Sequence, residues 1–403
     1  MASSKANNCP SISLLFTCLI AMFLSTVVAL CTAIIVSWVG VVSSTPTHDS
    51  HINYTTVTGY FLQDEASTNT STFSFINTNF GLINRTYATD ATYDPSGKKT
   101  QWQRFENQVF RLNRDSGRKV QYKLLFMGRH GEGYHNAAES YYGTPAWNCY
   151  WSLVDGNGTV RWDDARLTPQ GVKQALAVNA FWASELKDQR IPPPRSYYTS
   201  PLTRCLATAN LTFSGLQLPS RHPFVPTVKE FFREGISGHT CDRRGTKSYI
   251  QQAFPKYKIE PGFTETDQLW QAYHREVQID QDIRSKAVLD DVFSTDTRDV
   301  SFHHESFRGN RIIAERQVGP VSDIWTSLDY RTDCRVRTVL GHRPFSLSTG
   351  AVIPVLVRAE TIGGPSPPTA TQPYEAICTC TSPPPVGATT STCTYATATP
   401  SNP

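Results

Sequence analysis

The chain has 403 residues, a formal net charge of +4 and 11% aromatic residues. This length suits one large domain or two ordinary ones, and the composition is typical of a globular protein with a sizeable core. Because the net charge is modest and no long block of lysine and arginine occurs, the composition argues against a nucleic-acid-binding protein.

An uncharged apolar stretch, residues 12–42, follows a short N-terminal tail, residues 1–11. It is longer than the roughly 20 residues that span a bilayer and much longer than the about 7–15 apolar residues of a cleaved signal peptide. We therefore expect a single membrane-spanning anchor, with a cleaved signal as the alternative. Lys5 precedes the stretch, which favours a lumenal or extracellular position for the rest of the chain. A cytoplasmic position is the alternative.

Five N-x-S/T triplets support the lumenal or extracellular orientation and predict a glycoprotein. Disulfides are possible in such an oxidising compartment, although the sequence does not fix their pairing. The triplets begin at Asn53, Asn69, Asn84, Asn157 and Asn210, and the cysteines beyond the anchor are Cys149, Cys205, Cys241, Cys334, Cys378, Cys380 and Cys393.

A polar stalk, residues 43–57, is expected to precede a folded domain over residues 58–360. Within it, "WQRFENQVFRLNRD" has apolar residues at helical spacing and "YKLLFM", residues 122–127, has the features of a short strand. Thr168 before Pro169 predicts the start of a helix, because threonine is a favoured N-cap and proline suits the first turn.

Further strands and helices alternate along the rest of the domain. "RSYYTSPLTRCLATANLTF" predicts a strand and then a helix, while "DVSF", residues 299–302, and "GAVIPVLVRAE", residues 350–360, predict buried strands. This alternation indicates an α/β protein with helices on both faces of the sheet. Residues 361–403 are rich in proline, threonine and serine, so we expect a disordered tail.

Three of the predicted strands end on residue types that bind phosphate. Arg129 and His130 follow the first strand, Arg204 follows the second, and His303 and His304 follow "DVSF". Ligands of open α/β sheets bind beyond the carboxyl ends of the strands, and guanidinium groups match phosphate oxygens with two hydrogen bonds. The pattern therefore predicts an anion site at this edge of the sheet.

A histidine in such a site has chemistry beyond binding. Neighbouring arginines disfavour the imidazolium form, so a neutral ring nitrogen remains available to attack phosphorus. The attack would give a phosphohistidine, and the leaving alkoxide would need a proton from a nearby carboxylic acid.

The ordered motifs "RHGEGYHN", "WDDARLTPQG", "SPLTR" and "REGISGHTCDRR" resemble the histidine phosphatase superfamily, and in particular its fungal phosphoglycerate mutase-like branch. The resemblance implies a three-layer α/β/α fold of the phosphoglycerate mutase type, without a metal or organic cofactor. It also implies roles for individual residues: His130 as the nucleophile, Arg129 and Arg204 as phosphate-binding residues, Asn136 in the same pocket, Glu234 as the general acid with Glu230 as the alternative, and His304 or His303 as the second pocket histidine.

One segment departs from the family pattern. In strict register Glu305 takes the position of the second pocket histidine, and about 25 unexpected residues follow before Gly341. We therefore treat residues 303–334 as an atypical insertion. It is either a genuine surface insertion that lets His304 reach the pocket or non-native sequence such as a retained intron.

These observations predict a metal-independent phosphatase that hydrolyses a phosphomonoester through a phosphohistidine. A mutase that returns the phosphoryl group to its substrate is one alternative, and a catalytically impaired phosphate-binding protein is another. The expected partners are a small phosphorylated substrate and, through the anchor, a membrane.

Overall fold

The computed structural model describes residues 49–233, 235–295, 337–367, 369–388, 390 and 393–394, with the backbone of 324–328 and 395. In these parts of the chain no helix is both long and apolar enough to cross a membrane. The tail, residues 1–11, and the predicted anchor, residues 12–42, lie outside the described residues.

A seven-stranded sheet in the order β1-β8-β2-β7-β3-β4-β5 forms the centre of the described part. Strands β2, β7, β3, β4 and β5 run parallel, whereas β8 is antiparallel to both of its neighbours. The strands are β1 (Ser50–Thr56), β2 (Val120–Arg129), β3 (Ser196–Thr199), β4 (Thr227–Val228), β5 (Lys258–Ile259), β7 (Ile324–Leu328) and β8 (Val352–Gly363).

Helices and short two-stranded ribbons complete the described structure. The ribbons pair β6 (His274–Arg275) with β9 (Glu375–Ala376) and β10 (Cys378–Thr379) with β11 (Thr394–Tyr395). The helices are α1 (Asp90–Tyr93), α2 (Gln101–Asp115), α3 (Tyr134–Tyr142), α4 (Thr144–Cys149), α5 (Pro169–Ser184), α6 (Thr203–Phe213), α7 (Lys247–Ala253) and α8 (Gln278–Thr295).

Alternate residues of β2 enter two different hydrophobic clusters. Leu124 and Phe126 pack with side chains of α2, α5 and α6, whereas Leu125 and Met127 pack with side chains of α8. All four are at most 1% exposed, and burial of each contributes about 1.5–3 kcal/mol. Helices therefore cover both faces of the sheet, and the predicted α/β class is confirmed.

Side-chain caps begin two of the helices, and the predicted helix start at Thr168 is one of them. Thr100 and Gln103 form a reciprocal capping box at the start of α2. The Thr168 hydroxyl accepts from the Gly171 N–H at 3.1 Å, and Pro169 begins α5. Both caps satisfy backbone donors that have no partner inside the helix.

The domain begins earlier than predicted. Residues 50–56, assigned from sequence to the stalk, form strand β1, which pairs with β8 over seven residues from Ser50↔Gly363 to Thr56↔Val357. Its alternation of exposed and buried side chains, with Tyr54 and Thr56 turned inward, is what a half-buried edge strand requires. The polar composition of residues 43–57 concealed this pattern.

Residues 361–403 were expected to be disordered, but the described part of this segment is ordered. Strand β8 continues to Gly363, and strands β9, β10 and β11 follow. Disulfides join Cys149 to Cys380 and Cys378 to Cys393. A segment too poor in apolar residues to form a core of its own is thus ordered by covalent links and by pairing with the domain.

Strand β7 occupies the position between β2 and β3, and it pairs in parallel with both. It lies within residues 303–334, the segment interpreted as an insertion, whereas the predicted strand 299–302 lies outside the described residues. A described part of this segment therefore supplies a central strand of the sheet.

Candidate functional site

The turn after β2 presents the predicted nucleophile at the carboxyl edge of the parallel strands. The Arg129 N–H donates to Ala351 O at 2.9 Å, and the Gly350 N–H donates to His130 O at 2.8 Å. His130 is fully buried. Gly350 and Ala351, which lie just before β8, thus hold the backbone of Arg129 and His130.

Helix α5 closes the turn from the other side by direct backbone contact. A Cβ atom added to Gly131 would lie 2.4 Å from Gly171 O, and one added to Gly171 would lie 2.1 Å from Glu132 O. The Thr168 N–H donates to Glu132 O at 2.9 Å. The glycines of "RHG" and "PQG" are therefore required by packing between the two segments.

The His130 ring is fixed in one tautomer by its own turn. Its Nδ1 lies 2.6 Å from Gly131 O. Because a carbonyl oxygen only accepts hydrogen bonds, Nδ1 carries the proton and, in the neutral ring, the lone pair resides on Nε2. The ring of His135 lies beside it, with 5.4 Å between the ring centroids.

Arg204 is linked to the same turn through helix α6. The Gly131 N–H donates to the Thr208 hydroxyl at 3.0 Å, and that hydroxyl donates to Arg204 O at 2.8 Å. The guanidinium group of Arg204 is fully buried and donates from Nη1 to Cys241 O at 2.7 Å. Its Nη2 lies 3.8 Å from Asp242 Oδ1.

The other two described residues predicted to bind phosphate have structural contacts. Arg129 donates from Nη1 to Leu347 O at 2.7 Å. Asn136 Oδ1 accepts from the Gly133 N–H at 2.9 Å, which caps the start of α3. The oxygen of Asn136 thus orders the turn, and its amide NH₂ is the group with which it would donate to a phosphate.

Asp164 is a half-buried acid that sequence reasoning did not single out. It accepts from the N–H and hydroxyl of Thr203, both at 2.8 Å, and from the Gly245 N–H at 2.8 Å. Burial raises the pKa of this carboxyl group, while those donors and the charge of Arg204 oppose the rise. Asp164 therefore fixes the first turn of α6, one residue before Arg204.

A cleft of about 620 Å³ adjoins these elements. Tyr134 and Thr203 bring the starts of α3 and α6 to its wall, and Arg161, Asp163 and Arg166 line it as well. His130 is not among its lining residues, since it is fully buried. The cleft lies next to the histidine turn and is lined by both positively and negatively charged side chains.

Glu230, the alternative general acid, belongs to an ion-pair network. Its Oε1 accepts from Arg233 at 2.9 Å and its Oε2 from Arg244 at 2.8 Å. Arg244 is 4% exposed and also donates to the carbonyl oxygens of Thr264 and Thr266. Glu230 and Arg244 therefore have structural partners, whereas Glu234, His303 and His304 lie outside the described residues.

One group of described side chains has metal-ligand character. The ligand atoms of His239, Cys241 and Asp242 lie within 4.8 Å of one another. However, Asp242 already accepts from the hydroxyl of Ser237, and the positive charge of Arg204 lies 3.8 Å away. A bound cation would share the Asp242 carboxylate with the Ser237 hydroxyl and would be repelled by the charge of Arg204.

Several residues that build the site could not be recognised as site residues from sequence. Thr208 and Gly350 act through a hydroxyl and a backbone N–H that sequence spacing does not distinguish from ordinary polar positions. Asp164 and Asp242 stand inside quoted motifs, "WDDARLTPQG" and "REGISGHTCDRR". Their burial, partial for Asp164 and nearly complete for Asp242, arises only on folding.

The fold is that of an α/β protein with a buried histidine turn at the carboxyl end of its parallel strands, and comparison with known proteins identifies its class. Residues 150–258 match the family model of the histidine phosphatase superfamily (branch 1). The chain is also 48% identical over 310 residues to a protein of Arthroderma benhamiae named "Probable phosphoglycerate mutase", covering 77% of this chain and 85% of that protein. The chain therefore belongs to the histidine phosphatase superfamily, among its fungal phosphoglycerate mutase-like members.

Two further similarities were found. A Candida albicans protein named "Phosphomutase-like protein 3" is 34% identical, with 59% of this chain and 66% of that protein covered. The crystal structure of the ecdysone phosphate phosphatase from Bombix mori is 15% identical with a TM-score of 0.32, and it covers 63% of this chain and 97% of that structure.

Proposed function

We propose that the protein is a phosphatase that hydrolyses a small phosphomonoester through a phosphohistidine at His130. The observation that carries the proposal is the geometry of this ring. Its Nδ1–H is held by Gly131 O at 2.6 Å, so the lone pair lies on Nε2. A buried imidazole in this tautomer, on a turn whose backbone is fixed by β8 and α5, is suited to nucleophilic attack.

The proposed reaction has two steps. Nε2 attacks phosphorus, the P–O bond to the leaving group breaks, and Glu234 gives its proton to the departing oxygen. Water then attacks the phosphohistidine, the P–N bond breaks, and the carboxylate regains a proton. Arg129, Arg204, Asn136 and His304 would stabilise the charge on the phosphoryl oxygens.

A mutase is the second candidate, and the similarity to the Arthroderma benhamiae protein favours it. The first step would be the same, but the phosphohistidine would return its phosphoryl group to a hydroxyl of the substrate. That outcome needs a site that excludes water from the intermediate. A phosphate-binding protein without turnover remains the third candidate, because the position of the second pocket histidine depends on residues 303–334.

We also propose that residues 12–42 anchor the protein in a membrane and that the catalytic domain faces the lumen or the exterior. All five asparagines that begin the N-x-S/T triplets are exposed. The two disulfides support the same orientation, because such bonds persist in oxidising compartments.

The test measures p-nitrophenyl phosphate hydrolysis by the full chain in detergent micelles, from acid to neutral pH and with EDTA present. We expect turnover that survives EDTA and falls by at least about 10³-fold in His130→Ala. His51→Ala, on the outer strand β1, is the matched control and should retain activity.

A parallel assay follows the conversion of 3-phosphoglycerate by ³¹P NMR. Release of inorganic phosphate supports the phosphatase, whereas isomerisation without release supports the mutase. A folded protein that binds phosphate and performs neither reaction is the impaired phosphate-binding protein.

A further inference from the structure

The C-terminal segment 372–388, here called the strap, is attached to several elements around the histidine turn. The Gln372 N–H donates to both carboxylate oxygens of Asp280 in α8, at 2.9 and 3.1 Å. Strand β9 then pairs with β6. The Cys380 N–H donates to Cys149 O at 2.8 Å, and the two residues form a disulfide at the end of α4.

The strap packs directly on the loop 236–242. A Cβ atom added to Gly238 would lie 2.7 Å from Ile377 Cδ1 and 2.8 Å from the backbone nitrogen of Tyr273. The Ile377 N–H donates to Tyr273 O at 2.9 Å. The strap and residue 273 therefore leave this loop no room to move toward them.

The same loop is held on its other sides. The ring of His239 lies 6.1 Å from the ring of Trp147, which belongs to α4 with Cys149. The Trp270 Nε1–H donates to His239 O at 2.9 Å. The disulfide thus fastens the strap to α4, the helix whose Trp147 lies beside His239 of the loop.

The entry to the loop is held by the buried ion pair of Glu276 and Arg284. Glu276 accepts from the Ile236 N–H at 3.1 Å and from Arg284 at 2.8 Å, and Arg284 donates to Arg233 O at 2.9 Å. Tyr374 of the strap lies close enough to this pair for the charges of Glu276 and Arg284 to act on its hydroxyl. Burial, with a smaller contribution from the charge of Glu276, raises the pKa of Tyr374 to about 12.

The loop in turn determines the position of Arg204. Cys241 O accepts from the Arg204 guanidinium at 2.7 Å, and Asp242 Oδ1 lies 3.8 Å from it. Asp242 is itself held by Ser237, through the backbone N–H at 3.3 Å and through the hydroxyl. A displacement of residues 236–242 would therefore move two groups that orient this arginine.

We propose that the disulfide-fastened strap is a positioning element for Arg204, acting through the loop 236–242. The proposal rests on the proposed function in one respect, namely that Arg204 binds the phosphoryl group. Residues well outside the matched motifs would then control the affinity of the site for phosphate. Because the fastening is a disulfide, that affinity depends on the redox state of the protein.

The test compares two double variants of the full chain in detergent micelles. Cys149→Ser with Cys380→Ser releases the strap, whereas Cys378→Ser with Cys393→Ser removes the other disulfide and keeps the fastening. We expect the first pair to raise the dissociation constant of inorganic phosphate, measured by calorimetry, by about tenfold, as for loss of one well-placed ionic hydrogen bond. KM for p-nitrophenyl phosphate should rise by a similar factor with a smaller change in kcat. The second pair should leave both constants unchanged.

A substitution that keeps both disulfides guards against a misfolded variant. Ile377→Ala removes the side chain that covers Gly238, and Val386→Ala, which alters an exposed side chain of the same segment, is its control. Weaker phosphate binding in Ile377→Ala, with unchanged binding in Val386→Ala, supports the proposal. Unchanged phosphate affinity in both Ile377→Ala and the first double variant, with only a lower Tm, would overturn it.

Failure of the strap proposal can be distinguished from failure of the proposed function. Wild type that binds phosphate without turnover contradicts the phosphatase, and the strap is still tested by the binding constants. Wild type that turns over substrate, with phosphate affinity independent of the strap, contradicts only the strap. If wild type does not bind phosphate, the strap proposal and the phosphate-binding role of Arg204 both fail.

Discussion

At the scale of single residues, burial gives a few carboxyl groups pKa values far from those of free acids. Glu185 begins the π-helical turn Glu185–Gln189 that follows α5, and its side chain is 7% exposed. Burial raises its pKa to about 7 and the charge of Asp188 adds to the rise, while the nearby indole N–H of Trp102, which donates to Asn79 Oδ1 at 2.6 Å, opposes it. The carboxyl group is outside the histidine turn, so its effect is on stability.

We expect Glu185→Gln to stabilise the protein at alkaline pH and not at acid pH. Between the unfolded value of about 4.5 and the folded value of about 7, the folded state binds more protons, so the free energy of unfolding falls as pH rises. Glutamine removes this loss, giving up to about 3 kcal/mol at pH 8 and little change near pH 4. Urea unfolding of both proteins at the two pH values measures the difference.

Asp188→Asn is the control for this prediction. Asp188 is exposed on the same turn and contributes only a secondary electrostatic effect, so its removal should give a much smaller gain at pH 8. An equal gain for Glu185→Gln at both pH values would show that packing, and not ionisation, is responsible.

At the scale of elements, the decisive contact is between the histidine turn and the start of α5. The Cα atoms of Gly131 and Gly171 face the other segment's backbone so closely that neither position accepts a Cβ atom. The start of α5 thus sets the position of His130 as directly as β2 does.

We expect Gly171→Ala to reduce both stability and catalysis. The added methyl group would lie 2.1 Å from Glu132 O, so the two segments would have to separate. Overpacking of this kind costs about 1–3 kcal/mol, and a displaced nucleophile costs up to about 10²-fold in kcat. Thermal unfolding and p-nitrophenyl phosphate kinetics measure the two effects.

Gly215→Ala is a useful comparison, because no atom lies within 4 Å of the added Cβ although φ is +78°. The variant measures the loss of stability that an alanine suffers at positive φ when no steric clash is present. It should leave kcat unchanged. Full activity in Gly171→Ala would mean that the turn does not depend on this contact.

The elements that could be predicted from sequence are those whose own residues carry the pattern. Helices α2 and α5 were predicted, α5 with its cap at Thr168, and β2 and β8 were predicted as apolar runs, because amphipathic spacing and capping are local properties. Strand β1 and the strap were missed since their order depends on partners more than 200 residues away, β8 for the first and Cys149 for the second.

The residues of the candidate site could likewise be predicted only where local sequence places them. Arg129 ends β2, His130 follows it, and Arg204 lies in the first turn of the helix after β3, so their placement at one edge of the sheet could be expected from the rule that ligands bind at the carboxyl ends of strands. The residues that orient them, such as Thr208 and Cys241, act through single hydrogen bonds formed only on folding. The central strand β7 was not predicted because its short sequence, "IWTSL", lies among charged residues.

At the scale of the whole molecule, the distribution of N-x-S/T triplets over the surface bears on which side of a membrane the domain occupies. Asn53, Asn69, Asn84, Asn157 and Asn210 are all exposed. They differ in their hydrogen bonds, however. Asn157 donates from Nδ2 to the Tyr142 hydroxyl at 2.9 Å and accepts at Oδ1 from two backbone N–H groups.

We expect the full chain, produced in yeast, to carry N-linked glycans at the first three of these positions and at Asn210, and least at Asn157. Glycosylation joins the sugar to Nδ2, the atom that Asn157 uses in its contact with Tyr142, and the enzyme that performs it acts in the lumen. Removal of glycans by an endoglycosidase should increase gel mobility, and single asparagine-to-glutamine variants should each remove one step of that shift except at position 157.

Substitution of all five asparagines is the control, since it should abolish the shift. A wild-type chain that resides in microsomal membranes and shows no shift would place the domain on the cytoplasmic side, and the disulfide-fastened strap would then lie in a reducing compartment.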